Sequence, residues 1–313
     1  MLEGEVKILH LVPGLNARGN GIAVAAKLIA QGQRSNSEVE VVDTRSLSSV
    51  RDLHLADEVW VHSMWLPRTM LACWRVLNCG TPKLVRMTHA NLDPVRLAYH
   101  GWKKRLAGPV ERWLLRRADR VVVTCAAERE WVRAYEPGVR EIEVVDLKRF
   151  FDLDAGKSCS STCSCRVEGR PLHVLYLGRR HPLKGVEYLE RAVAELRGEA
   201  ESFPLQKKEG SSLPGSGKDP ASPLLDLRIV SDHFGEELER DWAWCDVLCL
   251  PTLSENFGLV VAEALERGKR VLVTDGAPVW EDQPGVVYLK GYRDGTDEER
   301  VELLKRALNE ILA

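Results

Sequence analysis

Ten short runs rich in Val, Leu and Ile, separated by amphipathic stretches, constrain this chain's fold more than any other feature. They are Val6–Val12, Glu38–Val42, Glu58–Val61, Lys83–Met87, Arg120–Thr124, Glu141–Val145, His173–Leu177, Asp226–Val230, Asp246–Leu250 and Arg270–Thr274. Helix-like segments lie between many of them, including Ala23–Gln31, Gly108–Arg117, Ala127–Tyr135, Val186–Leu196 and Leu259–Arg267. Strands that are apolar on both faces and alternate with helices predict parallel sheets covered on either side. That pattern defines the α/β doubly wound class.

A chain of 313 residues, 44% hydrophobic, buries a sizeable core and is expected to form about two domains. The boundary is read from composition. Residues 1–150 form a first Rossmann-like domain, 151–168 a polar Ser/Cys-rich linker, and 169–313 a second Rossmann-like domain in which the alternation restarts. Inside the second, 202–223 (SFPLQKKEGSSLPGSGKDPASP) reads as a disordered insertion. Asp297–Leu312 has the pattern of an amphipathic closing helix.

A net charge of −2 argues against nucleic-acid binding. The chain has no apolar run long enough to span a membrane, and its first residues do not read as a signal peptide. Cys73, Cys79, Cys125, Cys245 and Cys249 read as small core residues. Cys159, Cys163 and Cys165 lack a fourth ligand at metal-site spacing, so they read as linker, and no metal site is expected. A reduced, cytoplasmic setting follows from this cysteine usage.

In doubly wound sheets ligands bind beyond the carboxyl ends of the strands, and the distinctive residues fall there. After the first strand, Pro13–Gly21 places Gly19 and Gly21 before a helix. This is either a phosphate-approaching loop or a plain glycine turn. His89 follows the fourth strand, placed to reach a ligand or to serve structure. After His173–Leu177, the loop from Gly178 to Gly185 carries Arg179 and Lys184 ahead of a helix. Two cations there suit a diphosphate.

The last of these segments, LSENFGLVVAEALERG, follows Asp246–Leu250. Glu255 precedes a helix that begins near Phe257 and Gly258 and stops at Gly268. Glu263 lies about two turns further, roughly 8–10 Å along the axis. The carboxylates are therefore too far apart to share a proton. The spacing suits a ligand with an anionic middle and hydroxyl-rich ends, the layout of a sugar nucleotide, because a carboxylate accepts two hydroxyl hydrogen bonds at once.

These segments together resemble the family-4 retaining glycosyltransferases of the GT-B fold, in which two Rossmann-like domains face an interdomain cleft. Pro251–Leu265, continuing through Thr274–Trp280, is similar to that family's E-x7-E region, and Gly178–Gly185 to its G-R-x4-K-G loop. Val61–Trp65 and His89–Pro94 resemble segments of members that build lipopolysaccharide and surface polysaccharide. The resemblance implies metal-independent transfer of a hexose-type sugar from a UDP-, GDP- or ADP-sugar to a glycolipid or polysaccharide acceptor. It implies that Arg179 and Lys184 hold the diphosphate and Glu255 the sugar hydroxyls. Phe257, Gly258 and Leu259 would offer backbone N–H groups, Glu263 would bind the ribose and His89 would touch the transferred sugar. Gly19 and Gly21 would close over phosphates or acceptor, with Gly178 opening the cationic loop. No side-chain base is implied, since in the family the leaving phosphate takes the acceptor proton.

Two departures stand out. Relatives usually carry a His-Gly pair where this chain has His89-Ala90, and their P-N-G-x-D turn is replaced by Val144–Phe150. A non-catalytic nucleotide-sugar-binding subunit and a GT-B sugar-nucleotide epimerase or hydrolase are the alternatives. Finally, 101–120 (GWKKRLAGPVERWLLRRADR) holds seven Lys/Arg and two Trp. It reads either as a helix lying on the anionic inner face of a membrane or as a solvated face beside a core stripe.

Overall fold

A computed structural model describes residues 5–45, 53–99, 101–153, 170–198 and 225–313. The chain divides into two compact units, Met1–Phe151 and Asp152–Ala313. The 202–223 insertion, Cys159, Cys163 and Cys165 lie outside the described residues.

The first unit is built on a parallel six-stranded sheet. Its strands are β1 (Val6–Val12), β2 (Ser37–Asp43), β3 (Glu58–His62), β4 (Lys83–Met87), β5 (Arg120–Val123) and β6 (Ile142–Val144). Their order is β2-β1-β3-β4-β5-β6. The helices are α1 (Gly21–Gln33), α2 (Pro67–Cys79), α3 (Pro94–Ala98), α4 (Gly101–Arg117) and α5 (Ala126–Tyr135). Leu11, Val59, Val61, Leu84, Val121 and Val123 are fully buried in one cluster with residues of α2, α4 and α5. Burying a side chain of this kind contributes roughly 1.5–3 kcal/mol, so the apolar runs account for the sheet's interior position. Where the P-N-G-x-D turn was missing, Asp146 caps a short 3-10 helix, Leu147–Phe150. The Phe150 ring packs against Gly32 of α1.

The second unit has five parallel strands, β7 (Leu172–Leu177), β8 (Leu225–Val230), β9 (Val247–Leu250), β10 (Arg270–Thr274) and β11 (Val286–Leu289), in the order β11-β10-β9-β7-β8. Its helices are α6 (Val186–Leu196), α7 (Glu236–Trp244), α8 (Leu259–Glu266) and α9 (Asp297–Leu312). Thr296 and Glu299 form a capping box that starts α9. This closes the orphan N–H groups of a helix whose first turn is all acidic.

Each sheet has one point where the direction of winding reverses, between β1 and β3 in the first unit and between β7 and β9 in the second. The connections leaving such a pair run to opposite faces of the sheet, and ligands of doubly wound folds bind in the crevice beyond the strand ends there. In the first unit the crevice edges are therefore the loops after β1 and β3, and in the second those after β7 and β9. Two core assignments are corrected by the structure: Cys79 is exposed at the C-terminus of α2 and Cys125, just before α5, is only partly buried, whereas Cys73, Cys245 and Cys249 are buried.

Candidate active site

In the second unit the loops after β7 and β9 are pressed together by backbone contacts. Leu253 N donates to Leu183 O at 2.9 Å, and Thr252 Oγ1 donates to the same carbonyl at 3.0 Å. Gly185, at φ +61°, lies so close to the Pro251 carbonyl that a Cβ would fall 2.1 Å from its oxygen. The loop after β10 closes from the other side, with Glu255 N donating to Gly276 O at 2.7 Å.

Lys184 and Glu255 thereby meet across the switch point, Lys184 Nζ donating to Glu255 Oε2. Glu255 Oε1 accepts from Asn256 N at 3.0 Å. Both side chains are about four-fifths buried, 21% and 16% exposed. A cation and an anion held side by side at a crevice edge can each exchange this partner for a ligand group of the same sign.

The segment after Glu255 turns into α8 at Gly258, which is left-handed (φ +71°), and no side chain caps the helix. Phe257 is buried against Trp280, ring centroids 5.0 Å apart, and the Trp280 indole N–H donates to the Phe257 carbonyl. These contacts fix the N–H groups of Gly258 and Leu259 at the helix start, where positive potential favours an anion. Glu263 lies on α8, and burial of its carboxyl raises its pKa. Arg267 donates to the Glu263 carbonyl, 3.1 Å, and to the Glu239 carboxylate, 2.9 Å. Arg179 is exposed, and its carbonyl accepts from Tyr176 Oη at 2.9 Å. Its neighbour Arg180 instead forms a two-pronged ion pair with Glu190, at 2.6 and 3.1 Å. Gly178 precedes them at φ +153°.

In the first unit Gly19 is exposed in the loop after β1, and Gly21 is exposed at the first position of α1. Asn20 stiffens that loop by donating to Pro13 O and Gly14 O while accepting from Ile22 N. Asp43 at the end of β2 accepts from Gly14 N and Leu15 N. His89 is only 2% exposed, so it does not project from its loop as a surface histidine would. His89 and Ala90 both have positive φ, 50° and 55°. That conformation is costly for residues with a Cβ, and a glycine at position 90 would adopt it without that cost.

Glu128, fully buried on α5, holds this turn. Its Oε1 accepts from Ala90 N and from Thr88 Oγ1 (2.6 Å), and its Oε2 from Thr124 N (2.8 Å) and Thr124 Oγ1 (3.0 Å). The turn after β3 is fixed similarly. Buried Glu111 accepts from Trp65 N at 2.7 Å and from Arg86 at 3.1 Å.

Three buried histidines lie in a row beneath these turns. His62 Nδ1 is 2.9 Å from His89 Nε2, His10 Nδ1 is 2.9 Å from His62 Nε2, and His10 Nε2 is 2.8 Å from Gln33 Oε1. His10 also stacks on Trp60. Sequence reasoning passed over Glu128, Glu111, His10 and Gln33. A carboxylate on a helix, or a histidine inside a strand, carries no local signal of burial.

Residues 8–147 match the family described as glycosyl transferase 4-like domain, and residues 171–308 match the family described as glycosyl transferases group 1. Each half of the chain thus matches one glycosyl transferase family, and the fold is of the GT-B class. The D-inositol 3-phosphate glycosyltransferase of Salinispora arenicola is 30% identical over 192 residues, which is 54% of this chain and 42% of that protein. The chain thus spans less than half the length of that relative. Among solved structures, sucrose-phosphate synthase from Thermosynechococcus elongatus aligns over 98% of this chain and 90% of its own, at a TM-score of 0.63 and 15% identity. Anabaena HepE in complex with UDP-glucose aligns over 98% and 91%, at 0.60 and 16%. At these identities the likeness is one of fold.

Proposed function

We propose that the chain is a retaining, metal-independent glycosyltransferase that moves a hexose-type sugar from a nucleotide-sugar donor to a glycolipid or polysaccharide acceptor. The observation that carries this is the Lys184–Glu255 pair at the switch point of a group 1 glycosyltransferase domain. When the donor binds, its diphosphate takes Lys184 and Arg179. That releases Glu255 to accept hydrogen bonds from sugar hydroxyls. The N–H groups of Gly258 and Leu259 face the diphosphate, and Glu263 takes the ribose hydroxyls. In the transfer, the bond from the anomeric carbon to the leaving phosphate oxygen breaks. The acceptor oxygen bonds to that carbon on the same face, and its proton passes to the leaving phosphate. Lys184 stabilises the charge developing there, and His89 contacts the transferred sugar.

A thermal-shift screen with UDP-, GDP-, ADP- and CMP-sugars tests the reading. One nucleotide at a hundred times its Kd should add about 2.7 kcal/mol to stability. Lys184→Ala should abolish most of that shift and lower turnover by about 10²–10³, and Glu263→Ala should weaken donor affinity with little change in turnover. No shift with any nucleotide sugar would overturn the proposal. Binding without turnover would favour a non-catalytic subunit, and donor consumption without any acceptor an epimerase or hydrolase.

The acceptor side is supported by α4. Trp102, Leu106, Val110 and Trp113, spaced at about one turn, are 63%, 75%, 48% and 37% exposed, while Leu114 and Leu115 face the core. Lys103, Arg105, Arg112, Arg116 and Arg117 flank this outer stripe. The helix α2, which packs on α4, adds exposed Leu71 and Trp74. An outward apolar stripe with basic flanks suits an anionic lipid surface, as a lipid-linked acceptor on the cytoplasmic face would require. No helix among the described residues is long and apolar enough to cross a membrane. The protein is expected to float with anionic but not zwitterionic liposomes. The double variant W102E/L106E should lower that affinity by about tenfold or more and leave donor binding intact; flotation unchanged by the substitutions would reject the helix as the contact.

A further inference from the structure

The histidines beneath the His89 turn have a property that no single one of them has. A neutral imidazole carries one N–H and one bare nitrogen, so it donates on one side and accepts on the other. In a row of imidazoles bonded nitrogen to nitrogen, each ring must therefore point its N–H the same way as the next. The direction of the whole row is decided by whatever group ends it. Here Gln33 ends it, at the C-terminus of α1, presenting its carbonyl oxygen to His10 Nε2 at 2.8 Å. His10 must then carry its proton on Nε2 and accept at Nδ1 from His62 Nε2, at 2.9 Å. His62 in turn accepts at Nδ1 from His89 Nε2, at 2.9 Å.

We propose that Gln33, His10 and His62 form a one-directional hydrogen-bond string that fixes His89 as its neutral Nε2–H tautomer. His89 Nδ1 is then an acceptor, so a sugar hydroxyl that meets it must donate. His10 and His62 are positioning residues, since they act only through His89. Three features of the fold hold the string in register. His10 lies opposite Trp60 in the β1–β3 pairing and stacks on its ring, centroids 5.0 Å apart. His62 is the last residue of β3, opposite Met87 of β4. Glu128 clamps the turn that carries His89. His10 and His62 are fully buried and His89 nearly so, and burial disfavours the imidazolium in all three. The string is therefore kept neutral, as a single direction demands. The part of this inference that concerns the sugar rests on the proposed contact of His89 with it; the tautomer itself does not.

The test uses protein labelled with ¹⁵N at histidine and correlated through the ring protons, without any donor. The wild type is expected to show Nε2–H rings for His10, His62 and His89. Gln33→Glu keeps an acceptor at the end of the string and should leave His89 unchanged at neutral pH. Gln33→Lys replaces it with a donor at a half-exposed helix C-terminus, where a cation is tolerated. It should turn all three rings to the Nδ1–H form, so that His89 presents a donor. Turnover in Gln33→Lys should then fall about tenfold, the worth of one neutral hydrogen bond, with KM for the donor nearly unchanged. An Nδ1–H ring at His89 in the wild type, or the same tautomer in wild type and Gln33→Lys, would overturn the string. A switched tautomer with unchanged turnover would instead refute the contact between His89 and the sugar, leaving the string established.

Discussion

Gly185→Ala is expected to destabilise the second unit by about 3 kcal/mol or more. Its new methyl group must either overlap the Pro251 carbonyl, 2.1 Å away, or push the loops after β7 and β9 apart. Forced overpacking costs about 1–3 kcal/mol, and holding alanine at φ +61° adds about 1 kcal/mol. Neither loop can give way cheaply, because the contact is backbone to backbone and Leu183 O already accepts from Leu253 N and Thr252 Oγ1 beside it. Separating the loops also separates Lys184 from Glu255, so the response to nucleotide sugar should vanish along with the stability. Gly19→Ala is the matched control. That residue has φ +67° but no atom within 4 Å of the added carbon, so only the backbone cost of about 1 kcal/mol remains. Calorimetry of both variants decides the matter: equal, small shifts would show that the loop contact does not constrain the site.

The same contact shows what could be read from the residues alone. The apolar runs located ten strands to within a residue or so, because a buried parallel strand is apolar on both faces and needs no partner to be recognised. The eleventh, Val286–Leu289, follows β10 by only a short connection holding a 3-10 turn at Pro278–Trp280, and it was not among the runs. Helices α2, α3 and α7 are likewise not evident from the residues, α3 because it is only five residues long. The outward faces of α2 and α7 carry Trp74 and Leu71, or a cluster of acids, in place of a simple amphipathic period.

In the candidate site, spacing suggested that Arg179, Lys184, Glu255 and Glu263 belong together, and chain order placed them after strands. The Lys184–Glu255 pair, by contrast, depends on β7 and β9 being neighbours. Strand order is a long-range property that no local run encodes. The supports of His89 were invisible for the same reason: Glu128, His10 and Gln33 come from three separate elements, joined only by the topology.

Acidification supplies the second large effect. Lowering the pH from 7 to 5 is expected to cost the first unit about 2 kcal/mol for each of His10 and His89, about 4 kcal/mol together. Burial, opposed in part by the Gln33 hydrogen bond, holds the His10 pKa down to about 4. For His89, burial and then the nearby Arg96 guanidinium, which donates to its carbonyl at 3.4 Å, hold it down to about 3. His62 is held low by burial and by its two neighbours, so it adds in the same direction. Below the ordinary value near 6.5 the unfolded chain binds a proton at each of these rings and the native state does not. Stability therefore rises with pH through 6.5 and is lost as pH falls from 6.5 toward 4, at about 1.4 kcal/mol per unit for each ring. Most carboxylates are already ionised in this window. The raised Glu187 and Glu263 act in the opposite sense, but both belong to the second unit. Urea unfolding followed by NMR through the backbone amides of β1, β3 and β4 reports the first unit separately. Its midpoint should fall steeply between pH 6.5 and 5, and His10→Phe should remove about one proton's share of the slope. A midpoint constant across that range would mean that these imidazoles are charged or solvated in the native state, and a charged ring cannot belong to a string of one direction.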